Sequence, residues 1–279
     1  MFPSSIWERV AKANRYNGIT DKIGLQTMKL FFTLMLLVLT TLPSCACVET
    51  PSKRLFVVFI GGINSDPTAA QMAGTAQRGV GNSGMFQLAT DLRQDGASAE
   101  YFNWNGSAAG KIKEQQAPLS KGIAEQIRKR HVDRPKDKLA LVGNSWGGHT
   151  AWEVSQLLAE EPAVPVDLIV FLDPSSAGRF DKAQPENLPS NVKNAVTIAT
   201  RNALGWKKWA DEPRAEFVDL GDPANGFLKK RGPAYDSLFD VKAHIAAEWD
   251  PAIHKSIQSR LLKLVMSKTD KDGSQPGDG

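Results

Sequence analysis

Cysteine is almost missing from this chain. There are two in 279 residues, Cys45 and Cys47, and none after them. That excludes a disulfide-built miniprotein and a four-cysteine zinc site. Histidine is nearly as scarce: His131, His149, His244 and His254 show no H-E-x-x-H or comparable metal spacing. The longest apolar run, Leu30–Leu42, has thirteen residues, short of the ~20 that a spanning helix needs. Neither sign of charge dominates. The net charge is +4, and Arg9, Lys12, Arg15, Lys22 and Lys29 against Glu8 and Asp21 supply three of those four charges. The nearly neutral body carries no long basic stripe, which argues against nucleic acid as its partner. What remains, 42% apolar and 23% charged, is globular composition, enough for one domain of roughly 200–250 residues.

The first fifty residues read as an address. The run LFFTLMLLVLTTL has Lys29 in front and small residues, Ser44 and Ala46, behind, as a secretory signal peptide does. Met28 just ahead of Lys29 is the expected start of translation, with 1–27 as upstream sequence, and Met1 stays open as the alternative. The competing reading is a buried helix or an interfacial anchor. The cysteines resemble a bacterial lipobox, with departures. Leu42-Pro43-Ser44 precedes Cys45 with a proline out of pattern, and Ser44-Cys45-Ala46 precedes Cys47 without the leucine. Two outcomes stay open: simple export, or membrane attachment by lipidation near Cys45 or Cys47. The expected location is periplasmic, secreted or lipid-anchored in the cell envelope. A cysteine-free body suits an oxidising compartment.

From residue 48 strands and helices alternate. Arg54–Ile60, ending in Gly61-Gly62, reads as a strand buried on both faces. Met85, Phe86, Leu88, Ala89 and Leu92 fall at helical spacing until Gly96. Further strands are expected at 99–104, 139–142, 166–172 and 195–199, with a weaker one at 216–220. Helices are expected around Ile123 and Ile127, and along Ala151, Val154 and Leu158. A last helix is expected after Asp250 as cap and Pro251 in its first turn, with Ile253, Ile257, Leu261 and Leu264 as its stripe. This predicts an α/β fold, a mostly parallel sheet flanked by helices. The divisions are 1–47 as extension and signal peptide, 48–267 as the domain, and 268–279 as a polar disordered tail.

Gly143-Asn144-Ser145-Trp146-Gly147 is G-x-S-x-G, after an apolar strand and before a helix. That is the setting of a nucleophile elbow. A serine in a strained turn projects its hydroxyl from the sheet edge, and the flanking glycines leave room where a Cβ would collide. The helix behind aims its first N–H groups at developing negative charge.

With the GG at 61–62, LDP at 172–174 and a late histidine, these residues make the chain resemble the alpha/beta-hydrolase family, in its lipase/esterase-like branch, over roughly 54–265. The resemblance implies Ser145 as nucleophile, His244 as base and Asp173 as acid, in the family order Ser, Asp, His. Asp211 and Asp219 remain alternatives for the acid. His131 sits in a basic helix end, His149 too close behind the elbow, and His254 within the last helix. The oxyanion hole is implied at Trp146 with Gly62 or Ile63. No histidine precedes the glycines, so this is not the HGGG form. His244 is expected in a loop before the final helix.

The implied activity is a secreted serine hydrolase cleaving carboxylic esters of small molecules or lipids through an acyl-enzyme, with no metal or organic cofactor. The alternatives are a non-catalytic envelope or binding protein on this scaffold, or a hydrolase of amide or thioester bonds. Two stretches do not fit directly. Gly79-Val-Gly81-Asn-Ser-Gly84 matches G-x-G-x-x-G but follows no strand, so a rim loop is expected rather than a dinucleotide site. The segment 201–236, with Trp206, Trp209 and Phe227, reads either as a lid or substrate wall or as surface aromatics.

Overall fold

The computed structural model describes residues 51–63, 65–75, 83–104, 112–175, 184–202, 205–209, 211–227, 235–238 and 241–266. The expected signal run, Cys45, Cys47, Gly79, Gly81 and the tail from 268 lie outside these residues.

The strands are β1 (Leu55–Ile63), β2 (Ser98–Trp104), β3 (Lys138–Asn144), β4 (Leu168–Leu172), β5 (Ala195–Ala199) and β6 (Ala215–Asp219). They form one sheet in the order β2-β1-β3-β4-β5-β6, and every neighbouring pair is parallel. The helices are α1 (Ala69–Met72), α2 (Gly84–Gln94), α3 (Ile112–Asp133), α4 (Trp146–Ala159), α5 (Val241–Ala247) and α6 (Pro251–Met266).

Strand alternation explains the layers. Successive side chains point to opposite faces. Leu55, Val57 and Phe59 of β1 enter a core closed by Met85, Leu88 and Leu92 of α2 and Ile253, Ile257 and Leu261 of α6. Phe56, Val58 and Ile60 enter a second core closed by Ile123 and Ile127 of α3 and Ala151, Val154 and Leu158 of α4. The inner strands are buried on both faces, which is why they read as unbroken apolar runs. The edge strands β2 and β6 are only half buried. Caps fix the helix starts: the Ser83 hydroxyl accepts from Phe86 N–H at 3.2 Å, and Asp250 accepts from Ala252 N–H at 2.9 Å. Gly96, at φ +87°, turns the chain out of α2.

Several expectations are corrected. The fourth strand begins at Leu168 rather than Val166, which makes only an isolated bridge to Val192. The short helices α1 and α5 have no counterpart in the sequence reading, and α3 begins at Ile112 with Pro118 inside it. Trp206 and Trp209 form neither a lid nor an exposed surface. Each is 4% exposed, and they stack beside Phe171 of β4 at ring distances of 5.1 and 6.0 Å. The Trp209 indole N–H donates to Thr197 at 3.2 Å. The exposed Lys207 and Lys208 between them disguise this inward packing.

Candidate active site

A parallel sheet collects the carboxyl ends of its strands along one edge, and ligands meet such sheets there. Four strands deliver the site to that edge. β3 ends at Asn144, and Ser145 follows with φ 54° and ψ −122° before α4 begins at Trp146. Positive φ is strained for a serine. The bend survives because its surroundings fix it. Ser145 N–H donates to Leu172 O at 3.0 Å, and Ser145 O accepts from Gly148 and Ser175 N–H at 3.0 Å each. The motif glycines are steric necessities: a Cβ on Gly143 would lie 2.3 Å from Gly147 O, and one on Gly147 would lie 2.1 Å from Ile60 O.

Asp173 follows β4. It is fully buried and also holds positive φ, 40°. Thr200, just past β5, donates its N–H to Asp173 Oδ1 at 2.9 Å. Its hydroxyl lies 3.0 and 2.9 Å from the two carboxylate oxygens. His244 comes from α5, not from a loop. Ala243 and Ala247, four residues apart and fully buried, seat that helix on the core.

The three side chains meet in a line. His244 Nε2 lies 2.9 Å from Ser145 Oγ, and His244 Nδ1 lies 2.6 Å from Asp173 Oδ2. Burial pushes the imidazole down, but the Asp173 hydrogen bond and charge outweigh it, with Glu248's charge adding to them. The histidine therefore keeps its proton above the ordinary range.

The other candidates are elsewhere. Asp219 pairs with Arg201 at 2.9 Å. Asp211 lies in an exposed turn. His149 faces Glu153 at 3.3 Å, His131 is in the last turn of α3, and His254 Nε2 lies 2.7 Å from Glu248 O.

Beside the serine, Trp146 opens α4, where a first-turn N–H has no partner within the helix. Its ring meets Trp104 edge-on at 5.9 Å. Gly62 presses on the nucleophile from the end of β1: a Cβ there would lie 2.8 Å from Ser145 Cβ. Ile63 is the next residue along that strand. Ser65, a little further along, is tied down by Tyr101, whose hydroxyl donates to Ser65 O and accepts from Ser83 Oγ at 2.9 Å. Among the described residues, no cluster of three His, Cys, Asp or Glu side chains is placed to hold a metal ion.

Four residues here were not singled out from the sequence: Thr200, Ser175, Tyr101 and Glu248. Thr200 was within reach, because the residue after β5 must lie beside the residue after β4. Ser175, whose Oγ lies 3.4 Å from Ser145 Oγ, carried no signal beyond its place after Asp173-Pro174.

No protein-family model and no curated protein matches the chain. Similar solved structures include a protein described as an alpha/beta-superfamily hydrolase from Xanthomonas campestris pv. campestris (17% identity, 73% of this chain and 98% of that one, TM-score 0.38). Another is the catalytic core of acetyl xylan esterase from Trichoderma reesei (14%, 77% and 98%, TM-score 0.40). A third is a cutinase-like protein from Cryptococcus sp. (14%, 76% and 96%, TM-score 0.41). With its parallel strands in the order β2-β1-β3-β4-β5-β6 and a serine bend between β3 and the helix that follows, the chain has the alpha/beta-hydrolase fold.

Proposed function

We propose that the protein is an exported serine hydrolase that cleaves carboxylic esters through an acyl-enzyme on Ser145. The observation that carries this reading is the line Ser145 Oγ–His244 Nε2–His244 Nδ1–Asp173, at 2.9 and 2.6 Å. A serine hydroxyl is a weak nucleophile until a base removes its proton. Nε2 takes that proton as Oγ attacks the ester carbonyl, and buried Asp173 stabilises the imidazolium that forms. The oxyanion is met by backbone N–H groups, Trp146's from one side and that of Gly62 or Ile63 from the other. The imidazolium then gives its proton to the leaving alcohol. Water, deprotonated by the same nitrogen, releases the acid.

The export part of the reading rests on the signal-like run 30–42 behind Lys29. Among the described residues no helix is long and apolar enough to cross a membrane.

A fluorophosphonate probe tests the chemistry. The folded protein is expected to be labelled at Ser145, with Ser145→Ala unlabelled. Hydrolysis of p-nitrophenyl esters is expected to fall by about 10⁴-fold or more in that variant. Equal labelling of both proteins would return the fold to a binding role.

A further inference from the structure

Glu248 lies one turn beyond His244, directly after α5, and three elements converge on it. Its Oε1 accepts from Gly84 N–H at 2.9 Å and Met85 N–H at 3.2 Å, the first two residues of α2. Its backbone oxygen lies 2.7 Å from His254 Nε2 of α6. The contact with α2 is so tight that a Cβ on Gly84 would sit 2.2 Å from Glu248 O. The free N–H groups of a helix's first turn favour an anion, so this carboxylate has a reason to stay. α5 has only seven residues, too few to hold an orientation by itself. Its far end is fixed to the body here.

The charges around the imidazole complete the case. His244 is faced by Asp173 from the end of β4 and by Glu248 from just beyond its own helix, and both raise it. Glu248 in turn faces His244, the first-turn N–H groups of α2 and the neutral Tyr101 of β2. Burial pushes its carboxyl up, and outweighs the pull of those N–H donors and of His244, so it holds its proton above the usual carboxylate range.

We propose that Glu248 is a positioning residue for hydrolysis: it clamps the histidine-bearing helix to the first turn of α2 and sets a second negative charge behind His244. This rests on the reading of Ser145, His244 and Asp173 as a hydrolytic triad. The same end of α2 also reaches the oxyanion side, because its cap Ser83 donates to Tyr101, which holds Ser65 O three residues beyond Gly62. Base and oxyanion donors are thereby referenced to one point of the scaffold.

Three variants of the full chain test this with p-nitrophenyl butyrate as probe. Glu248→Gln keeps an acceptor oxygen for Gly84 and Met85 but removes the charge. It is expected to lower kcat by about three- to tenfold with KM within about twofold, and to move the acid limb of kcat/KM to lower pH by roughly half a unit or more. Glu248→Ala removes clamp and charge, and is expected to lower kcat by a further tenfold or so. Glu248→Asp keeps the charge on a shorter arm, so kcat is expected to fall while the acid limb stays near the parent's. If the Gln variant does not fold, the Asp and Ala pair decides the clamp.

An NMR titration of the His244 ring gives a readout independent of turnover. Its midpoint is expected to fall in Glu248→Gln. An unchanged His244 midpoint there, or an alanine variant with parental kcat, would overturn the proposal. Absence of ester hydrolysis and probe labelling in the parent, with the His244 midpoint still moving, would remove the hydrolase reading and leave the coupling of the two side chains standing.

Discussion

At the scale of the residue, Asp173 shows what holding an imidazole takes. The carboxylate has no exposed surface, so each of its oxygens needs a donor within the protein. His244 supplies one, and Thr200 supplies a backbone N–H and a hydroxyl. Thr200 is itself buried, so its route to the chemistry is through Asp173. Thr200→Val keeps the volume and the N–H and deletes only the hydroxyl. Losing a charge-assisted hydrogen bond in a buried site costs about 1.5–3 kcal/mol. Some of that falls on folding, so we expect kcat lower by about tenfold and KM within about twofold. Steady-state kinetics on a p-nitrophenyl ester checks it. A rise in KM with kcat untouched would place Thr200 in substrate binding instead.

At the scale of the element, the crossing of α4 over β1 has no slack. Gly147 of α4 lies so close to Ile60 and Gly61 that a Cβ would come within 2.1 Å of one carbonyl oxygen and 2.7 Å of the other. Gly147→Ala must push α4 off the end of β1, the strand end that carries Gly62. We expect a loss of stability of about 1–3 kcal/mol. Gly122 in α3 is the internal control: a Cβ there meets nothing within 4 Å, so Gly122→Ala should gain roughly 0.5–1 kcal/mol. Urea unfolding of the two variants reads both signs, and like signs would refute the steric account. The same contrast shows what was legible in the sequence. Strands buried on both faces announce themselves, because nothing but apolar residues can fill them, and G-x-S-x-G between a strand and a helix places Ser145 directly. Asp173 and His244 come from the resemblance, through the family order Ser, Asp, His. The helix under His244 was hidden, because seven residues with two buried alanines make a weak period. Trp206 and Trp209 were hidden by the lysines between them. Glu248 and Tyr101 act through partners well over a hundred and some thirty residues away, a separation that no local pattern encodes.

At the scale of the whole molecule, the two edges of the sheet divide the work. Ser145, Asp173 and Thr200 follow the carboxyl ends of β3, β4 and β5, and Gly62 lies near that of β1. At the opposite edge, Asp167 just before β4 is buried, and it binds two other segments, the start of β3 and the approach to β5. It accepts from Leu139 N–H at 3.1 Å, Lys138 at 2.9 Å and Lys193 at 2.8 Å. Burial pushes its carboxyl up, but the two lysines and the Leu139 N–H outweigh burial and hold it below its usual range. A carboxyl whose folded value lies below its unfolded value of about 3.9 binds its proton more readily when unfolded. Its contribution is therefore complete above the unfolded value and is lost as pH falls through the folded one. Asp167→Asn should leave the distant serine edge intact, with kcat within about twofold of the parent. It should lower stability at pH 7 by about 1–3 kcal/mol, a range that allows for the solvent exposure of Lys193. The gap between parent and variant should narrow as pH drops below about 4. Urea unfolding of both proteins, from pH 7 down to the lowest pH at which both still fold, measures that gap. A gap independent of pH would mean that Asp167 serves the fold by shape and hydrogen bonding alone, without its charge.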